Sequence, residues 1–102
     1  MSTSPTARSL ALLRAEGWLA EVVEQNVPHA RTKRDLFGFI DIMAIRGAET
    51  LAVQTTSDNG GHVANRVLKI RTSPHLDAVR SAGWRVLVHG WRPDGRLRVV
   101  EP

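Results

Sequence analysis

Hydrophobic and polar residues are arranged along the chain in a pattern that predicts three helices and five strands. A Ser4-Pro5 start followed by apolar residues at helical spacing predicts a first helix that ends at Gly17. A second helix is expected after Asp58 to Gly61, and a third begins at Ser73-Pro74. The predicted strands are 18–24, 36–45, 50–56, 84–91 and 97–101, with 25–34 as a loop. The order is therefore α-β-β-β-α-α-β-β.

The second and third strands form a predicted hairpin with its turn at RGAE, residues 46–49. If Gly47 and Ala48 are the two central turn residues, antiparallel pairing places Asp41 directly opposite Gln54. Strand alternation then puts one set of side chains on the same face: Phe37, Phe39, Asp41, Met43 and Ile45. A carboxylate on such an apolar face must be paired, hydrogen-bonded or bound to a metal.

Two interpretations of Asp41 follow from its neighbours. The first is a cross-strand hydrogen bond from the Gln54 amide, which would satisfy the carboxylate within the sheet. The second is a phosphodiester site, because amides and hydroxyls at 54–57 stand before a helix with the basic residues His62, Arg66 and Lys69 on one flank. In such a site an Asp and a second oxygen ligand would hold a hard cation such as Mg²⁺.

The composition and charge of the chain indicate which class of molecule it binds. The chain has 102 residues and a net charge of +4, and arginine supplies nearly all of its 14 basic side chains, with Lys33 and Lys69 as the lysines. Arginine suits bidentate phosphate binding, which favours a nucleic-acid partner. A GC-rich genome that encodes Arg in place of Lys is the alternative explanation. The absence of cysteine excludes disulfides, thiolate metal sites and a Cys nucleophile.

The element order and the motif residues resemble those of the PD-(D/E)XK nuclease superfamily, especially its small phage-type, Holliday-junction-resolvase-like and VRR-NUC-like members. RDLFGFIDIMAI, LAVQTTS and VHGWR carry the resemblance, which spans about Leu10 to Trp91. It implies an α/β, restriction-endonuclease-like fold in which helices flank a central mixed sheet with an antiparallel hairpin. We expect one such domain over residues 1–102, with a disordered start at Met1 to Thr3.

By this resemblance Asp41 matches the metal ligand of the second strand, and Gln54, Thr55 and Thr56 occupy the (D/E)-X-K triplet. Gln54 replaces the acid and Thr56 replaces the lysine, so the motif has lost one negative charge and one cation. The implied cofactor is Mg²⁺ or Mn²⁺, held by Asp41, the Gln54 side chain and the Thr55 backbone carbonyl. In this superfamily the lysine can move to the following helix, which makes Lys69 the candidate cation; a solvated helix lysine is the alternative.

A second carboxylate is needed to complete the metal site. Glu24, at the end of the first strand, is the preferred candidate, because Glu21 faces the opposite side of the strand and Glu16 lies near the end of the first helix. Asp35, in the loop that enters the second strand, is another spare acid, and we interpret it as a turn residue in preference to a metal ligand.

These residues together predict a metal-dependent, structure-selective DNA endonuclease that cuts branched or junction DNA as a homodimer. A basic face would contact phosphates without reading bases, and it comprises Arg31, Lys33, Arg34, His62, Arg66 and Lys69. Two rival classes remain: an inactive nuclease fold that binds DNA or a protein, and an interaction subunit that binds no nucleic acid. The sequence has no signal-peptide pattern and no apolar run of spanning length, so we expect a soluble protein in the cytoplasm of a bacterial or phage-infected cell.

Overall fold

The computed structural model of the protein describes residues 3–29 and 32–102. Its elements are α1 (Pro5–Ala15), β1 (Leu19–Val22), β2 (Gln25–Val27), β3 (Thr32–Arg34), β4 (Ile42–Arg46), β5 (Glu49–Ser57), α2 (His62–Arg71), α3 (Leu76–Ser81), β6 (Trp84–Trp91) and β7 (Leu97–Val100). The three predicted helices and five predicted strands are all present. The structure adds two short strands, β2 and β3.

Local sequence signals account for the boundaries of α1. The hydroxyl of Ser4 accepts a hydrogen bond from the backbone N–H of Ala7, and Pro5 occupies the first helical turn. The helix ends before Gly17, which adopts a φ of 90° that favours glycine. Its inner face buries Ser9 and Leu13.

Five strands form one mixed sheet in the order β1-β4-β5-β6-β7, while β2 and β3 form a separate two-stranded sheet. The β5–β6 pair is parallel and the other neighbours are antiparallel. The register of the β4–β5 hairpin is the predicted one, since Ile42 pairs with Val53 and Arg46 with Glu49. Its turn therefore has the two central residues Gly47 and Ala48.

Helices cover both faces of this sheet. On one face α1 packs over a core that includes Leu13, Trp18, Ile42 and Val53. On the other face α2 and α3 connect β5 to β6 and cover a second core, which contains Phe39, Ala52, Val63, Ile70, Val79 and Val88. The parallel β5–β6 pair needs such a crossover, because a tight turn cannot join parallel strands.

The structure corrects two boundaries. The segment 25–34 was expected to be a loop, but Gln25 pairs with Arg34 and Val27 with Thr32 in the β2–β3 hairpin. The strand expected from position 36 begins at Ile42, because Leu36 and Ile40 bridge to each other and close a tight loop. Phe37 is consequently 46% exposed, while Phe39 is buried as predicted for a core side chain. Met1 and Ser2 of the predicted disordered start, and Arg31, lie outside the described residues.

Candidate active site

The topology brings the candidate site residues together at one end of the sheet, where β1 and β5 end and β4 begins. β4 is antiparallel to both of its neighbours, so its start lies beside the end of β1 and the end of β5. Asp41 immediately precedes β4, Glu24 follows β1, and Gln54 lies near the end of β5. The first residues of α1 line the same cavity, so four segments that are distant in sequence meet there.

Three hydrogen bonds hold the buried carboxylate of Asp41. Its Oδ2 accepts from the side-chain amide of Gln54 at 2.7 Å, from the backbone N–H of Thr55 at 2.8 Å and from the Thr55 hydroxyl at 3.1 Å. The Thr55 hydroxyl also lies 2.7 Å from the hydroxyl of Thr6 on α1. The cross-strand hydrogen bond from Gln54, the first of the two interpretations of Asp41, is therefore present.

Asp41 does not stand alone, because the carboxylates of Glu24 and Asp35 approach it. One oxygen from each of the three side chains lies within 4.8 Å of the other two. Burial and, to a smaller extent, the nearby Asp35 carboxylate raise the pKa of Asp41 to about 7, although the hydrogen bonds from Thr55 oppose the rise. Carboxylate oxygens grouped in this way could hold a hard divalent cation.

Two lysines neutralise part of this acidic group. Lys69 Nζ lies 3.3 Å from Asp35 Oδ2 and 3.5 Å from Gln54 Oε1, and Lys33 Nζ lies 3.4 Å from Glu24 Oε1. Lys69 therefore lies beside the carboxylates, while its side chain stays 41% exposed. Its ammonium group comes from α2, which follows β5.

These side chains line a cavity of about 420 Å³, which we call the acidic cavity. Its wall also contains Thr56 and Ser57 from the end of β5, and His62 and Arg66 from α2. The basic side chains predicted to bind DNA are divided between this cavity, which takes Lys33, His62, Arg66 and Lys69, and an adjoining one, which Arg34 lines. Arg31 lies outside the part of the chain that the structure describes.

His62 and Arg66 differ in the hydrogen-bond partners of their side-chain nitrogens. His62 Nδ1 lies 2.8 Å from the Ser57 hydroxyl. Arg66 Nε is buried and has no hydrogen-bond partner among the described residues. A buried guanidinium nitrogen without a partner is costly, and an anion in the cavity would supply the missing acceptor.

The side chains of Ser9, His89 and Trp91 are joined by hydrogen bonds under α1. Ser9 Oγ lies 2.9 Å from His89 Nδ1 and accepts a 2.8 Å hydrogen bond from Trp91 Nε1. Burial lowers the pKa of His89 to about 4, so the imidazole is neutral at neutral pH. His89 pairs in register with Thr55 across the β5–β6 ladder. It therefore lies beside Thr55, the residue that donates hydrogen bonds to Asp41.

Most of the side chains that line the acidic cavity are site residues predicted from the sequence. Asp41, Gln54, Thr55, Thr56, Lys69 and Glu24 all line the acidic cavity. Asp35 begins a turn, as predicted, since its backbone carbonyl accepts a hydrogen bond from the N–H of Gly38. Its carboxylate also joins the acidic group and lies 3.3 Å from Lys69 Nζ. The sequence signal for this role is the position of Asp35 within the motif stretch RDLFGFID.

In the described part of the chain no helix is long and apolar enough to cross a membrane.

Comparison with known proteins identifies the fold. No protein-family model matches the sequence, and no curated protein matches it significantly. Among solved structures, the chain is similar to Hjc, a Holliday junction resolvase from the archaeal hyperthermophile Archaeoglobus fulgidus. The two share 22% sequence identity and a TM-score of 0.54 over 91% of this chain and 72% of the resolvase chain. The chain therefore has the restriction-endonuclease-like α/β fold that the sequence predicted.

Proposed function

We propose that this protein is a metal-dependent DNA endonuclease that acts on branched or junction DNA. The observation that carries the proposal is the group of three carboxylates, Glu24, Asp35 and Asp41, brought within 4.8 Å of one another beside Lys69. The likeness to a Holliday junction resolvase supports the same class of substrate.

The donor set fits Mg²⁺ or Mn²⁺. All three side chains offer carboxylate oxygens, which hard cations prefer. Repulsion from Asp35 is, after burial, one reason why the pKa of Asp41 is raised to about 7. A bound cation would relieve that repulsion. When bound, it would polarise the scissile phosphate and make a water molecule more acidic. Ligation by Gln54 Oε1 and the Thr55 backbone carbonyl stays a prediction; in the structure Gln54 Oε1 accepts a 3.5 Å hydrogen bond from Lys69 Nζ.

The residues around the carboxylates have separate roles in this proposal. Gln54 and Thr55 fix the orientation of Asp41 through the hydrogen bonds that end on Oδ2. Lys69 stabilises negative charge that develops on the phosphate, in place of the lysine that Thr56 has replaced. Thr56 itself lines the cavity.

The basic side chains position the DNA backbone. Lys33, His62, Arg66 and Lys69 surround the acidic cavity and Arg34 lines the adjoining one. Contacts of this kind bind phosphates without reading bases, so selectivity would come from DNA shape. Because each chain carries one candidate site and a junction must be cut on two strands, the proposal includes a homodimer.

The test is cleavage of labelled four-way junction, flap, duplex and single-stranded DNA in Mg²⁺, Mn²⁺ and EDTA. Native protein is compared with Asp41→Ala and with Asp77→Ala, which removes an exposed acid on α3. We expect cutting that needs metal, prefers branched DNA, survives in Asp77→Ala and is lost in Asp41→Ala. An unchanged rate in Asp41→Ala would remove Asp41 from the mechanism.

A second candidate function is a DNA-binding module without nuclease activity. It is favoured by the hydrogen bond from Gln54 to Asp41, which satisfies the carboxylate without a cation. Tight, salt-sensitive binding of junction DNA with no cutting in either metal would select this function.

A further inference from the structure

Phe37 lies on a tight loop beside the acidic cavity in a strained backbone conformation. Its φ is 54°, a left-handed value that is uncommon for a bulky side chain, and Gly38 follows with a φ of 84°. The side chain is 46% exposed, although buried side chains lie two and four residues away, at Phe39 and Asp41. Strain that presents an aromatic side chain to solvent next to an active site indicates a functional use of that side chain.

Phe37 forms one wall of an aromatic pocket. Its ring centroid lies 6.1 Å from that of His75 and 6.3 Å from the nearer centroid of Trp84, with the planes tilted by 48° and 36°. These three side chains, with Ala78, Val79 and Ala82 from the region of α3, enclose about 240 Å³. We call this space the aromatic pocket. Its volume is below the roughly 300–1,000 Å³ of most small-molecule sites, so it suits a single planar ring system.

A continuous path connects the aromatic pocket to the carboxylates. A larger cavity of about 910 Å³ shares Phe37 and His75 with the aromatic pocket. The same cavity shares Lys33, Asp35 and Lys69 with the acidic cavity. The path therefore runs from the metal-binding residues, past basic side chains, to exposed aromatic rings.

The charged and aromatic side chains along this path indicate which kind of ligand it would bind. The middle of the path is net positive, because Lys33, Arg34 and Lys69 line it together with the single acid Asp35, so it attracts an anion. The far end offers aromatic faces and little polar surface. A nucleotide has the matching order of groups, since its phosphate is anionic and its base is a flat ring that stacks on aromatic side chains.

We infer that the aromatic pocket receives an unpaired nucleobase of the DNA, stacked on Phe37, while the adjacent phosphates lie along the basic path to the acidic cavity. The inference rests on the proposed function and deepens it, because a base can enter the pocket only where the duplex is open. It gives a physical basis for a preference for junctions and flaps over continuous duplex.

The experiment measures stacking without cleavage, in EDTA. A flap DNA carries the fluorescent base 2-aminopurine at one unpaired position next to the branch, and each protein is added to saturation. The proteins are native, Phe37→Leu, Phe37→Trp, His75→Ala and, as a matched control, Leu68→Ala, which removes an exposed apolar side chain on α2. Thermal melts verify that each variant is folded.

We expect native protein, Phe37→Trp and Leu68→Ala to quench the 2-aminopurine fluorescence. Phe37→Leu keeps an apolar side chain but loses the ring, so it should lose the quenching and bind the flap about tenfold more weakly, with unchanged affinity for continuous duplex. His75→Ala should weaken quenching from the opposite wall. Quenching in Phe37→Leu equal to that of native protein, or an equal loss of affinity for flap and duplex, would overturn the inference.

Parallel cleavage in Mg²⁺ separates this inference from the proposed function. Metal-dependent cutting without quenching would overturn the base pocket and leave the nuclease proposal standing. Phe37-dependent quenching without cutting would support the base pocket within a DNA-binding module. No binding of either DNA at low salt would overturn both.

Discussion

The side-chain amide of Gln54 donates a 2.7 Å hydrogen bond to Asp41 Oδ2, so position 54 lies directly against the carboxylate group. Gln54→Glu should therefore strengthen metal binding by about tenfold, because another carboxylate joins the ligand group. In EDTA the same variant should be less thermally stable, since four carboxylates then repel one another. Calorimetric titration with Mn²⁺ and melts with and without metal would measure both effects.

Asn59→Asp is the matched control for that variant, because it adds the same charge in the exposed turn before α2. It should change neither the Mn²⁺ affinity nor the metal dependence of the melting temperature. If Gln54→Glu behaves as this control does, the three carboxylates do not form a metal site that includes position 54.

Lys69 contacts Asp35 and Gln54 from α2 and should stabilise charge on the phosphate. We expect Lys69→Ala to lower the cleavage rate by about 10²-fold under saturating DNA, the loss typical of removing one group that stabilises transition-state charge. Arg71→Ala removes an exposed cation at the end of the same helix and should cut normally. Equal rates for the two variants would assign Lys69 to the solvated surface.

Arg66 presents a buried Nε without a hydrogen-bond partner in the described structure, next to the acidic cavity. Arg66→Ala should weaken junction binding and lower the slope of log affinity against log salt by about one, as expected for one lost phosphate contact. Fluorescence anisotropy at several salt concentrations would measure the slope, with Arg71→Ala again as control. An unchanged slope would place the Arg66 side chain outside the DNA contact.

His89 makes protein stability depend on pH in a defined direction. Its pKa is about 4 in the folded protein and about 6.5 when exposed, so the unfolded chain binds the extra proton first as pH falls. The folded state should lose about 2 to 3 kcal/mol of stability from this group between pH 6.5 and pH 4, and nothing further below that range. His89→Gln, which keeps an acceptor for Ser9, should show a flatter profile in urea unfolding. Parallel profiles for the two proteins would contradict the assignment.

Gly90 is required by the packing of α2 on β6. A Cβ at position 90 would lie 2.5 Å from Val63 Cγ2 and 3.3 Å from Asp58 Cβ. Gly90→Ala should therefore cost about 1 to 3 kcal/mol in urea unfolding, and Val63→Ala in the same chain should recover part of that loss. Gly61→Ala is the control, because its nearest neighbour would be 3.9 Å away. A Gly90→Ala chain as stable as native would refute the close approach.

Alternation and turn length were sufficient to predict the hairpin and the position of Asp41 opposite Gln54. Both are consequences of strand geometry, in which the side-chain period is two and a two-residue turn fixes the register. The same reasoning extended the strand back to Leu36 and missed the loop, because an aromatic residue at a φ of 54° is a conformation that no sequence rule favours.

Asp35 illustrates a second limit. Its role depends on the distance to Glu24 and Asp41, which belong to other segments, and local patterns carry no distance between segments. The β2–β3 hairpin was missed for a related reason, since its three-residue strands are mostly exposed and lack the apolar alternation that marks a strand.

The register between β4 and β5 also restricts how this site can change in evolution. A single residue inserted between Arg46 and Glu49, with two central residues kept in the turn, would put Val53 or Thr55 opposite Asp41 in place of Gln54. An insertion in another loop leaves this pairing unchanged. We expect relatives of this protein to vary in length almost everywhere before they vary there.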